Sequence, residues 1–119
     1  MRPQGLRRAR LTEQIKEELS LMLLTRSQDP RFKDVIITQV ALSADLRLGT
    51  VYFRILGEHS AEDVGGALDH AVPFLRHGLT EKLTIKMLPD LRFRYDEVPD
   101  KAAQIDKLLD TLKEGADSA

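Results

Sequence analysis

The sequence predicts an α+β domain in which helices pack on one face of a small three-stranded sheet. Apolar residues recur at helical spacing in three parts of the chain, near both ends and in the middle. Between them, two stretches rich in β-branched residues and one alternation of apolar and basic residues have the two-residue period of strands. Because 119 residues are the size of one domain, we expect a single unit over 1–119 with flexible ends at 1–5 and 114–119.

The first helix is predicted from about Leu6 to Arg26, where apolar side chains form one helical stripe. The stripe consists of Leu11, Ile15, Leu19, Met22 and Leu23. The first turns carry Arg7, Arg8 and Arg10, and basic charge at a helix N-terminus opposes the helix dipole. These arginines therefore indicate either a binding partner or an ordinary solvated helix end.

Two strands are predicted next, joined as an antiparallel hairpin. Pro30 in "SQDPRFKD" ends the helical region. The following "VIITQVALS" is rich in β-branched residues, and "GTVYFRIL" places Val51, Phe53 and Ile55 on one face of a second strand. The segment "SADLRLG" between them has the composition of a turn.

The middle of the chain is predicted to form a helix, a sharp kink and a second helix. Ser60 can cap the first helix, with Asp63 three residues later in the capping-box pattern. Pro73 is expected to stop that helix near Ala71 and to begin the next one. Ala71 and Pro73 are thus predicted as structural kink residues, and leucines continue at four-residue spacing at Leu75, Leu79 and Leu83.

The stretch "LTIKMLPDLRFRYDE" predicts one long strand. The side chains of one parity, expected to face the core, are Ile85, Met87, Leu91, Phe93 and Tyr95. The residues of the other parity are expected to face away from the core; they are Lys86, Arg92 and Arg94. The same outward face is expected to include Thr50, Tyr52 and Arg54 of the second strand. Pro89 implies an edge strand or a bulge, and a last helix after Pro99 carries Ile105, Leu108, Leu109 and Leu112.

Composition restricts the function. The chain has no cysteine, which excludes disulfides and thiolate chemistry, and it has no apolar run of the roughly 20 residues needed to cross a bilayer. We expect a cytoplasmic protein that does not contact membranes. Net charge is −1, but the first ten residues hold four arginines and no acid, whereas the acidic residues outnumber the lysines beyond Glu97. Such a polarised molecule can present a basic face to a polyanion.

Known catalytic motifs are absent from the sequence. There is no Gly-x-Ser-x-Gly, phosphate loop or HExxH. His70 and His77 are separated by Pro73, and no third ligand follows at a convincing spacing for a metal. Adjacent carboxylates at Asp96 and Glu97 would diverge on a strand. We predict a protein that is not an enzyme and needs no cofactor or metal.

Three segments occur in order behind the arginine-rich first helix: "ALSADLRLGTVYFRIL", "ALDHAVPFLRHGL" and "LTIKMLPDLRFRYDE". Together they resemble the ribosome-binding factor A family of bacterial small-subunit maturation factors. The resemblance implies a KH-like fold of the second type, with a helix-kink-helix at Ala71 in place of the GxxG loop. Two residues depart from the family pattern, Pro73 and Gly49, where the family often has glycine and alanine respectively; Pro73 would stiffen the kink.

The resemblance also implies a monomer that binds the small ribosomal subunit and its rRNA during late maturation, including processing of the rRNA precursor, with importance for growth in the cold. No small-molecule substrate is implied. Since the chain has no GxxG loop to clamp a single strand, we expect contacts with phosphates and RNA shape. The predicted contact residues are Arg7, Arg8, Arg10, Arg76, His77, Lys82, Lys86, Arg92 and Arg94. The alternatives are a solvated basic face and a protein-interaction module of the same fold without RNA binding.

Overall fold

The structure is a computed structural model that describes residues 3–117. The elements are α1 (Pro3–Thr25), a short 3-10 helix (Pro30–Asp34), β1 (Val35–Leu42), β2 (Leu48–Ile55), α2 (Ala61–Lys82), β3 (Asp90–Tyr95) and α3 (Val98–Asp117). The predicted order of helices and strands along the chain is confirmed except for the predicted break within α2, as is the end of the first helix before Pro30, although α1 begins at Pro3 and not near Leu6. Ser60 caps α2 as predicted, because its hydroxyl accepts a hydrogen bond from the backbone N–H of Asp63 at 3.3 Å.

The three strands form one mixed sheet in the order β1-β2-β3. β1 and β2 are antiparallel, which confirms the predicted hairpin, and a register shift between Ile37 and Gln39 marks a bulge. β3 runs parallel to β2, so α2 serves as the crossover that a parallel pair requires. β3 is an edge strand, consistent with Pro89 standing immediately before it.

Helices α1 and α2 cover one face of this sheet and enclose the core with it. The largest fully buried side chains include Ile15, Leu19, Leu23, Phe53, Leu68, Leu75 and Leu79. Leu91 and Phe93 are buried from β3, so the predicted inward parity is confirmed for this strand. The Phe53 ring meets those of Phe93 and Tyr95 edge to face, with centroids 6.4 and 5.7 Å away.

Helix α2 continues through Pro73, and the prediction that it stops near Ala71 is wrong. It is one helix of 22 residues. The buried stripe keeps its phase across the proline, from Val64 and Leu68 before it to Leu75 after it. Pro73 is exposed, so the carbonyl four residues earlier, which loses its N–H donor, lies on the solvent side of the helix. Water can satisfy that carbonyl while the opposite face stays packed.

The third strand is shorter than predicted, because residues 83–89 form no strand. Met87 is 73% exposed, not inward, and Lys86 is exposed on the loop, so neither has the expected place on a sheet face. The backbone before β3 is held from the helix layer, since Arg76 donates hydrogen bonds to the carbonyls of Leu88 and Pro89 at 3.0 and 3.3 Å. Tertiary contacts, not a strand ladder, therefore shape this segment.

Helix α3 projects from the domain. Its side chains are exposed from Val98 to Lys113, including the predicted apolar stripe. Its first turn is held by Arg54, which donates two hydrogen bonds to the Asp100 carboxylate at 3.1 and 3.2 Å. Residues 3–5 and 114–117 are helical backbone, and the mobility predicted for 1–5 and 114–119 stays a prediction. None of the helices within residues 3–117 is long and apolar enough to cross a membrane.

Candidate nucleic-acid interface

Arg92 and Arg94 lie on the sheet face opposite α1 and α2. They stand beside Thr50 and Tyr52 of β2 in the parallel register, and both arginines are exposed. Arg92 Nε donates to Thr50 Oγ1 at 3.1 Å, which orients the guanidinium. Neither arginine forms an ion pair with a residue in the described range 3–117. Both positive charges can therefore meet phosphate oxygens.

Arg54 is on the same face but its guanidinium is already occupied. Nη1 donates to the backbone carbonyl of Asp96 at 2.9 Å, besides the two bonds to Asp100. It also lies over the Tyr95 ring, 5.1 Å from the centroid. The Asp100 carboxylate is the main cause of a raised pKa of Arg54. This arginine therefore fixes the start of α3 and is a poor candidate for RNA contact.

The three arginines at the start of α1 differ in their surroundings. Arg8 donates to the carbonyls of Leu42, Ser43 and Ala44 at 3.3, 3.2 and 3.1 Å, so it braces the turn between β1 and β2. Arg7 and Arg10 are exposed, and neither side chain forms a hydrogen bond or ion pair within the described part of the chain. Arg7 and Arg10 thus remain available to a partner.

Arg76 is held by contacts within the domain, although its side chain is 37% exposed. Besides its two bonds to the segment before β3, its Nη1 lies 3.6 Å from Asp90 Oδ1. His77 Nε2 lies 3.2 Å from Glu81 Oε1, one turn further along α2. Both residues therefore have structural partners, and contact with RNA stays a prediction for each.

Lys82 and Lys86 come together at the C-terminal end of α2. They line a shallow depression of about 500 Å³ and both are exposed. Neither side chain forms an ion pair with another residue among those described. The depression also contains Glu81, so its charge is not uniformly positive.

Arg47 is a basic residue that the sequence interpretation did not single out. It is exposed in the turn between β1 and β2, and its carbonyl accepts a hydrogen bond from the N–H of Asp90 at 2.8 Å. The neighbouring Asp45 has a lowered pKa, caused first by the Ser43 hydroxyl and next by the Arg47 N–H. The sequence does contain a signal for Arg47, because this basic residue lies between a turn-forming aspartate and the start of a strand.

The structure offers little basis for metal chemistry. Among residues 3–117, no three histidine or carboxylate side chains come close enough to hold a metal ion. His59 pairs with Asp34 at 3.0 Å and His77 with Glu81.

A comparison with protein-family models gives a match over residues 7–109 to the model described as ribosome-binding factor A. The chain belongs to the ribosome-binding factor A family. The relative of that name from Alcanivorax borkumensis is 39% identical, over 94% of this chain and 84% of the relative. The relative from Ligilactobacillus salivarius is 36% identical, over 92% of this chain and 93% of the relative. The resemblance noted from the sequence is confirmed.

Solved structures of the ribosome-binding factor A family have the same fold. The crystal structure of the Thermus thermophilus protein superimposes with a TM-score of 0.67 at 29% identity, covering 73% of this chain and 92% of that one. A homology model of the same protein, fitted into a cryo-EM map of a 30S complex, gives a TM-score of 0.61 at 27% identity. The match covers 71% of this chain and 90% of that one. The α+β fold predicted from the sequence is therefore confirmed.

Proposed function

We propose that this chain binds the small ribosomal subunit and its rRNA in the cytoplasm during late maturation, including the stage at which the rRNA precursor is processed. Family membership carries the proposal. It is supported by the likeness to the Thermus thermophilus protein described in a 30S complex. On this proposal the chain is a binding factor and not an enzyme.

The charges on the surface suit contacts with phosphates. Six of the predicted contact residues are exposed cations without an ion-pair partner among the described residues, and they lie on three parts of the domain. They are Arg7 and Arg10 on α1, Lys82 at the end of α2 with Lys86 just beyond it, and Arg92 and Arg94 on β3. Cations of this kind gain affinity from the release of counterions that surround RNA, and they read shape more than sequence.

Binding alone is sufficient for the proposed activity. A factor that binds one conformation of an rRNA junction more tightly than another shifts the population toward that conformation. When the mature conformation removes the site, affinity falls and the factor leaves. No covalent step is required, since the difference in affinity sets the size of the shift.

Co-sedimentation with purified small subunits tests the proposal. Immature and mature particles are compared across a series of salt concentrations. Binding that prefers the immature particle and weakens steeply with salt is the expected result. An absence of binding to either particle at low salt would overturn the proposal. Binding that is insensitive to salt would instead favour a protein-interaction module.

A further inference from the structure

A groove of about 470 Å³ lies in the helix layer, between the end of α1, the short 3-10 helix and the middle of α2. Its floor is apolar and is formed by Phe32, Ala67 and Ala71. One wall is the ring of Phe74, which is 43% exposed, with the guanidinium carbon of Arg26 at 6.0 Å from the ring centroid. This volume is within the usual range of small-ligand pockets, about 300–1,000 Å³.

Polar groups line the rim of this groove. The side chains of Gln28 and His70 are exposed there and form no hydrogen bond with another residue within 3–117. The acid in the rim, Asp29, is neutralised by Arg31, whose Nε and Nη2 donate to the two carboxylate oxygens at 3.1 and 2.7 Å. The rim thus offers donors and acceptors without an unpaired negative charge that would repel RNA.

Arg26 retains its capacity to bind a ligand. Its Nη2 lies 3.8 Å from Glu81 Oε2, and both side chains are about half exposed, so this ion pair is weak. A guanidinium is planar and can stack on a flat ligand while its edge donates hydrogen bonds. Arg26 and Phe74 together therefore form a wall suited to a flat, aromatic ligand.

We propose that this groove binds one unpaired nucleobase of RNA, stacked on the wall of Phe74 and Arg26 with its polar edge toward Gln28 and His70. Unpaired RNA bases are commonly held by stacking on aromatic rings or guanidinium planes and by hydrogen bonds along their edges. An aliphatic side chain from a protein partner would cover the floor but would make no hydrogen bond with Gln28 or His70 on the rim. The inference rests on the proposed function, because the base would belong to rRNA.

The groove is separate from the charged face of the sheet. It lies among α1 and α2, whereas Arg92 and Arg94 stand on the opposite side of the sheet. Phosphate contacts lose affinity as salt rises, while stacking is far less sensitive to salt. Loss of the Phe74 ring should therefore lower affinity for single-stranded RNA by a similar factor at every salt concentration and leave the slope of affinity against salt unchanged.

A fluorescent base analogue tests the groove directly. The probe is a single-stranded RNA of about ten nucleotides, within the site sizes of single-strand binders, with one central 2-aminopurine whose fluorescence falls when it stacks. The wild-type chain should quench it, and Phe74→Ala should weaken binding about 5- to 100-fold. Phe74→Leu keeps an apolar side chain without a π face and should fail likewise, whereas Phe74→Trp should retain quenching.

Leu21→Ala is the matched control. Leu21 is 52% exposed on α1 and lies outside the groove, so its removal should leave quenching unchanged. The same RNA annealed to its complement should not be quenched, because its bases are already paired. The inference is overturned if the wild type does not quench the single strand, or if Phe74→Ala or Phe74→Leu quenches it as well as the wild type. Thermal unfolding confirms that each variant folds.

Subunit co-sedimentation of the same variants separates this inference from the proposed function. Salt-sensitive binding to subunits that Phe74→Ala leaves unchanged would overturn the nucleobase site while the proposed function stands. Quenching by a chain that does not bind subunits would support the nucleobase site and overturn the proposed function. Weakened subunit binding by Phe74→Ala without any quenching of the probe would mean that the groove holds something other than a base, which overturns the inference.

Discussion

Arg76 on α2 donates a hydrogen bond from Nη2 to the backbone carbonyl of Leu88 over 3.0 Å. That carbonyl belongs to the segment before β3, and this segment pairs with no strand. The carbonyl is partly buried, and backbone groups shielded from water need hydrogen-bond partners; here a helix side chain provides one. An arginine predicted from the sequence to contact phosphate thus fixes the chain's entry into the edge strand.

Replacing Arg76 with methionine should destabilise the fold. The change keeps most of the aliphatic stem but removes the donors to Leu88 and Pro89, so we expect a loss of about 1–2 kcal/mol in the free energy of unfolding. Urea denaturation measures it. Arg94→Met is the control, because Arg94 has no partner among the described residues, and it should stay within about 0.5 kcal/mol of wild type. Equal losses from both variants would contradict the structural role of Arg76.

The elements with a clear period could be predicted from the sequence. The apolar stripes predicted α1 and α3, and the two-residue alternation placed Leu91 and Phe93 inward and Arg92 outward, because side-chain direction on a strand follows from parity alone. Residues 84–89 could not be predicted in this way. Their partner is Arg76, 12 residues before Leu88, and a loop fixed by a distant side chain leaves no periodic signal.

The same limit applies to the candidate interface. Arg7, Arg8 and Arg10 look equivalent in the sequence, yet the Arg8 guanidinium is bonded to carbonyls 34 to 36 residues away. The effect of Pro73 also differs from the prediction, because a proline on the exposed side of a helix loses a hydrogen bond that water can replace. Sequence patterns predicted where basic residues lie. Which of them are available to a partner depends on the hydrogen-bond acceptors that the tertiary fold brings close to them.

Gly78 permits the close packing of α2 against α1. A Cβ at this position would overlap Sδ of the buried Met22. Overpacking usually costs about 1–3 kcal/mol, which exceeds most of the roughly 0.5–1 kcal/mol that alanine gains over glycine in a helix, so Gly78→Ala should lower the unfolding free energy. Gly66 lies in the same helix, and a Cβ added there would meet nothing within 4 Å, so Gly66→Ala should stabilise the helix by about 0.5–1 kcal/mol. Thermal denaturation of both variants should show shifts of opposite sign.

The apolar stripe of α3 contributes little to the stability of the domain. Ile105 and Leu109 are 58% and 57% exposed, so Ile105→Ala and Leu109→Ala should each change the unfolding free energy by less than about 0.5 kcal/mol. Leu68→Ala, a truncation of a fully buried side chain, should cost about 2–5 kcal/mol. Denaturant titration compares the three variants. A large loss at Ile105 would show that α3 packs on the domain in solution.

The Asp29–Arg31 pair should make stability depend on pH in the acidic range. The pKa of Asp29 is lowered below 3.8, chiefly by its hydrogen bonds from Arg31. A lowered folded-state pKa gives stability that is present above the unfolded value and is lost as pH falls through the folded value. The wild type should therefore be more stable than Asp29→Asn at pH 7, and the difference should shrink below about pH 3.8. Urea titrations at several pH values measure the free energy of unfolding of both proteins. A difference between them that stays constant down to about pH 2, where the unfolded carboxyl is protonated, would contradict the prediction.

The β3 face and the end of α2 can be distinguished by the salt dependence of subunit binding. If Arg92 and Arg94 each contact a phosphate, the double change to glutamine should reduce the slope of log affinity against log salt by up to about two. Lys82→Gln with Lys86→Gln removes the same charge from the other end of the domain. Lys107→Gln with Lys113→Gln, on the projecting α3, is the matched control for net charge.

Because the three pairs carry the same change in charge, a common fall in slope would indicate general attraction to RNA and would contradict a specific contact at β3. A fall confined to Arg92 and Arg94 would assign the phosphate contact to the outward sheet face. A fall confined to Lys82 and Lys86 would move that contact to the end of α2, and Arg92 and Arg94 would then be ordinary solvated charges, which are usually worth little. Filter binding or co-sedimentation across a series of salt concentrations gives each slope.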